Sequence, residues 1–103
     1  VRTALTYSAS ISVDASLANA YDINASNGTA FTINSPTNGN DGEIITITIL
    51  NTSGGALGVI TWGGTFKMAA WTSPATGFNR SITFKFNGTY WYEISRCASD
   101  IPN

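Results

Sequence analysis

Ser81-Ile-Thr-Phe-Lys-Phe-Asn-Gly-Thr-Tyr-Trp-Tyr-Glu-Ile-Ser95 decides the reading of this chain. Two runs of β-branched and aromatic residues flank Asn87-Gly88, a pair that accepts the positive φ angles of a tight reversal, so the stretch predicts a β-hairpin. Its register follows from its side chains. A three-residue loop sets Phe86 opposite Tyr90, Phe84 opposite Tyr92 and Ile82 opposite Ile94, gathering six large apolar groups on one face. The other face then carries Thr83, Lys85, Trp91 and Glu93. A two-residue loop would put Ile82 opposite Glu93 and mix the faces, so the longer loop with a bulge near Thr89 is preferred. That register brings Arg80 toward Arg96. Either the ladder stops short of them or a carboxylate such as Asp100 stands between.

Upstream, the same period of two recurs. Residues 1–14 alternate without a break, longer than one ordinary strand, so residues 1–9 are expected as an arm that pairs with a neighbour, the other reading being a frayed terminus. Tyr21–Ala25 and Ala30–Asn34 alternate around Ser26-Asn27-Gly28-Thr29, which predicts a second antiparallel hairpin. Glu43-Ile-Ile-Thr-Ile-Thr-Ile-Leu50 is the most apolar run and predicts a central strand with Ile45, Ile47 and Ile49 on one face. Two short strands are expected over Gly58–Trp62 and Thr65–Met68. Ala69–Phe78, rich in Pro and Gly, is expected as a crossing loop pinned by Trp71 and Phe78. About eight short strands with no helix predict an all-β fold in a single domain over residues 1–103: an antiparallel two-sheet sandwich of jelly-roll type, with a closed barrel as the other solution.

Composition narrows the chemistry. The 103 residues are 43% hydrophobic, enough for one core, but only 11% charged, against about 25% in ordinary globular domains. So neutral a surface is expected to be covered in part by neighbours. A net charge of −1 offers no field for a phosphate backbone, and nucleic acid is not expected as a partner. The absence of His and the single Cys97 exclude a triad with a His base, a His-containing zinc site and an internal disulfide. No run approaches the roughly 20 apolar residues of a membrane helix, no signal peptide is recognised, and no membrane partner is expected. Ser35–Gly42, with Asn38, Asn40, Asp41 and the following Glu43, partly matches a calcium loop, but its spacing departs from the twelve-residue pattern and it reads as a solvated turn. The six carboxylates show no pairing motif, so no catalytic, metal or cofactor residue is assigned.

Thr29-Ala-Phe-Thr-Ile-Asn-Ser-Pro-Thr-Asn-Gly-Asn-Asp-Gly-Glu43, Ile60-Thr-Trp-Gly63, Phe66-Lys-Met68, Thr83–Arg96 and the closing Asp100-Ile-Pro-Asn103 resemble a small β-sandwich module of tailed-bacteriophage virion proteins. The resemblance implies a non-enzymatic structural role on the virion surface, foremost as a capsid decoration protein that binds the major capsid protein from outside as a homotrimer. A tail-fibre or receptor-binding module is the alternative, with a host-surface glycan as possible partner. From the side chains, Trp91 and Lys85 on the outer hairpin face are the candidate interface, together with Leu5 and Tyr7 of the arm. Trp62 and Trp71 are the candidates for stacking on sugar rings.

Overall fold

A computed structural model describes residues 1–103. The chain is all-β, in ten strands: β1 (Arg2–Leu5), β2 (Ser10–Ile11), β3 (Ala20–Ala25), β4 (Phe31–Ile33), β5 (Ile44–Asn51), β6 (Ile60–Trp62), β7 (Phe66–Lys67), β8 (Phe78–Phe86), β9 (Trp91–Arg96) and β10 (Ile101–Pro102). They form a seven-stranded sheet in the order β1-β3-β5-β8-β9-β7, with β10 on the far end of β8, and a three-stranded sheet β2-β4-β6.

The pairing corrects the wholly antiparallel jelly-roll expectation. β1, β3 and β5 run parallel, as do β2, β4 and β6, so the chain winds from one sheet to the other and back in stacked, solenoid-like coils. Ser26–Thr29 is the reason. Instead of reversing the chain into a hairpin it carries it round a corner, and β3 and β4 lie in different sheets. A third wall is marked by the parallel bridge between Asp14 and Thr37. Residues 1–9 fold back as part of the first coil: β1 pairs with β3, and the Val1 carbonyl accepts from the N–H groups of Asn19 and Ala20.

Stacking like on like makes the core. Thr3, Tyr21, Ile47 and Ile82 occupy one column of register, Leu5, Ile23 and Ile49 the next, and Ile11, Ile33 and Trp62 a third in the smaller sheet. Ile23, Ile33, Ile45, Ile47, Ile49, Ile82 and Phe84 are wholly buried. β-Branched residues suit this because each is fixed at χ1 and meets a neighbour of like shape one strand away. Tyr21 adds a polar tie: its buried hydroxyl donates to the Asp14 carbonyl at 2.6 Å and accepts from the Ala18 N–H at 3.2 Å. Gly58 is required where the third coil crosses the second, since a Cβ there would come within 2.5 Å of the Ala30 nitrogen.

The last hairpin departs from its expected register. Phe86 faces Trp91, Lys85 faces Tyr92 and Phe84 faces Glu93; then Ile94 bulges and Thr83 meets Ser95. The loop Asn87–Tyr90 is one residue longer than expected, closed by the Asn87 N–H on the Tyr90 carbonyl, while Asn87 Oδ1 accepts the N–H groups of Thr89 and Tyr90. One residue of slip exchanges the faces of β9. Trp91 is therefore in the core, 1% exposed and stacked on Phe86 at 4.5 Å, whereas Tyr92 and Ile94 point to solvent. The bulge also separates Arg80 from Arg96, which stands beside Ile82, and Asp100, one of the two solutions offered for the like charges, pairs with Arg80.

This inside-outside assignment has a direct test in urea melts. Phe84→Ala and Trp91→Ala are each expected to cost about 3–5 kcal/mol, and Tyr92→Ala about 0.5 kcal/mol or less. A larger loss for Tyr92→Ala than for Trp91→Ala would restore the original register.

Candidate functional site

All three arginines are committed to carboxylates. Arg2 pairs with Asp22 at 3.3 Å and Arg80 with Asp100 at 2.6 Å. Arg96 grips Glu93 with two contacts, at 2.5 and 2.8 Å, and gives two further N–H groups to the carbonyls of Ala69 and Ala70. Glu93 in turn accepts the Ala69 N–H, so this pair pins the loop after β7. The guanidinium also lies 5.6 Å from the Trp71 ring.

Trp71 is thus covered by a cation on one side, and Trp62 meets it edge-on at 5.4 Å. Trp62 further packs on Phe66 and Phe84. The two indoles proposed for sugar stacking serve here as the lid of the core at the β6 end. Tyr7 lies edge-on to Phe31 at 5.2 Å, its hydroxyl within 3.0 Å of Asn27 Oδ1, beside a shallow cleft of about 280 Å³. Leu5 packs partly on the core. Both belong to the first coil, and β1 and β2 are the edge strands of their sheets at that same end. The far end of the stack is closed by β8, β9, β7 and the Trp62–Trp71 lid, but the first coil has no strand beyond it.

The outer face of the hairpin holds what sequence reasoning sought in Trp91. Across β7, β9, β8 and β5 the register lines up Lys67, Tyr92, Lys85 and Ile44 in one row, all exposed. Lys67 Nζ rests 4.5 Å over the Tyr90 ring, and Tyr90 meets Tyr92 edge-on at 6.2 Å. These are the only two lysines, and neither has a carboxylate partner. Of the residues proposed as an interface, Lys85 lies on this face and Trp91 beneath it. The signal for Tyr92 was present in the aromatic triplet Tyr90-Trp91-Tyr92, but only the loop length decides which ring faces out.

Elsewhere the ionisable groups are held by local structure. Asp14 Oδ1 accepts from Ser16 and from Asn38, which hold its carboxyl below the usual range. Asn38, at φ 59°, takes the left-handed turn conformation that places it there. An open trough of about 660 Å³ between Val1, Leu17, Asn19, Asp41 and Glu43 has no cluster of three or more His, Cys, Asp or Glu side chains.

The hydrogen bonds from Arg96 and Arg80 lower the pKa values of Glu93 and Asp100 respectively. A carboxyl depressed on folding contributes stability that is full above its unfolded value, about 4, and is lost as pH falls toward the folded value. Thermal melts are expected to be level from neutral pH down to about 5 and to fall below about 4, with a smaller fall in Glu93→Gln. Equal falls in wild type and variant would remove Glu93 as a contributor.

In comparisons with known proteins, the chain matches no family model, no characterised protein and no solved structure.

Proposed function

We propose that this chain is a non-catalytic structural module of a phage virion that assembles with copies of itself, as a homotrimer, through its open first coil. The observation that carries the reading is the edge of β1. The Val1 carbonyl turns toward β3, so alternation along the strand turns the N–H and C=O groups of Arg2 and Ala4 away from the sheet, unpaired and ready for another strand. Leu5 and Tyr7, partly buried on that coil, supply apolar surface beside the edge. Four of the six carboxylates support a structural rather than a catalytic use, since Asp22, Glu93 and Asp100 are tied to arginines and Asp14 to its own turn.

The phage setting and the number three rest on the resemblance of the motifs around Thr29–Glu43 and Thr83–Arg96, and the position foremost in that resemblance is the capsid exterior, against the major capsid protein. A tail-fibre module is the second reading. Coils stacked along one axis favour it, because a neighbour's strand at the open end lengthens the stack along that axis. In images of intact particles, density over the capsid three-fold positions supports decoration, and density along the tail supports the fibre.

Assembly itself is tested by light scattering on the purified domain beside Ala4→Pro, which blocks the outward edge without removing a bond to β3. Three times the monomer mass is expected for the wild type, and the monomer mass for the variant with its melting temperature nearly unchanged. A wild type that stays monomeric at high micromolar concentration would overturn assembly through the first coil.

A further inference from the structure

The row Lys67–Tyr92–Lys85 carries a second and separate capacity. Of the five cationic side chains three are neutralised within the chain, and the two that are not stand on either side of one exposed ring, 44% accessible in Tyr92. With strands about 4.8 Å apart, the lysine Cα atoms lie about 10 Å from each other, the span of one to two sugar rings. Tyr90 holds Lys67 in place from the side, by the 4.5 Å contact of its ring with Nζ, so this ammonium is positioned before any ligand arrives. In the neighbouring row the hydroxyls of Thr83 and Thr46 are paired at 2.9 Å, and Ser95 faces Thr83 across the ladder, a flat polar surface able to bond sugar hydroxyls. Of the carboxylates nearby, Glu93 is bound to Arg96, and Asp41 stands by the hairpin turn at Gly88.

We infer that this face binds an acidic saccharide, its ring seated on Tyr92 and its carboxylates paired with Lys67 and Lys85. Charge complementarity selects an anion, the aromatic platform selects a ring over an extended acidic peptide, and two lysines are too few for the long basic track of a nucleic acid. So exposed a site binds weakly, with a Kd on the order of 1 mM for a short oligomer.

The test follows backbone amide shifts of the wild-type domain during titration with oligogalacturonate, its neutral counterpart oligogalactose, and oligoglutamate. Shifts confined to β7, β9 and β8 with oligogalacturonate are expected, fading in high salt, with affinity reduced about tenfold in Tyr92→Ala and in the Lys67→Gln/Lys85→Gln pair and retained in Tyr92→Phe. Undisturbed amides elsewhere show that the variants are folded. No shift with oligogalacturonate overturns the site. Equal binding of oligogalactose overturns the role of the lysines, and equal binding of oligoglutamate overturns the saccharide. None of these outcomes touches self-assembly, which Ala4→Pro reads at the opposite end of the stack.

Discussion

β5 is the strand on which the two halves of this molecule meet. On one side it accepts a parallel neighbour, β3, and on the other an antiparallel one, β8. Its three inward isoleucines, Ile45, Ile47 and Ile49, touch the coils before it and the hairpin after it through one continuous apolar surface. Parallel strands demand cover on both faces, but here only the inward face is covered. The outward face resolves its hydroxyls by pairing them, Thr46 with Thr83 and Thr48 with Ser81, at 2.9 and 2.7 Å. The same strand therefore reads as apolar on one side and self-satisfied on the other, and the domain needs no second layer over it.

Where β5 ends, a different kind of constraint takes over. Asn51 is wholly buried and fully partnered: its amide donates to the carbonyls of Gly55 and Pro74, and its side-chain oxygen accepts from the N–H and hydroxyl of Ser53. Its backbone carbonyl accepts from Gly77 and from the Asn103 side chain. Two loops and Asn103 are thus referred to one point. Any apolar replacement would strand several of these groups at once, a heavier loss than a single bond.

Most strand positions were legible in the sequence because period-two alternation is local, and the inward set of β5 was readable for the same reason, but the unbroken alternation of residues 1–14 hid the corner between β1 and β2, and β10 was not foreseen. Strand partners were not legible. A corner and a hairpin use the same Asn-Gly chemistry, and Ser26–Thr29 cannot declare which it makes; the choice falls to whether β3 and β4 gain more by pairing with each other or by stacking on coils that repeat their pattern. Irregular spacing hid those coils: Arg2 aligns with Ala20, but Ala20 with Thr46. In the final hairpin, residues 90–92 are all aromatic, so either face of β9 could be made apolar on paper. The lengthened loop decided it, and with it whether tryptophan or tyrosine would meet the outside. The ion pairs of Arg80 and Arg96 were half visible, as a repulsion in need of a carboxylate.

The unequal ends of the stack have a kinetic meaning. Near one end β8 and β9 are each bonded on both sides, while β1, at the other, is held along one edge only. Opening the first coil costs the bonds of β1 and β2 and the burial of Ile11 and Val13, less than unfolding the large sheet, so amides there should exchange with solvent through local opening while those of β5 and β8 wait for the whole domain to unfold. A domain built this way can fray one turn and close it again without putting the rest of its structure at risk.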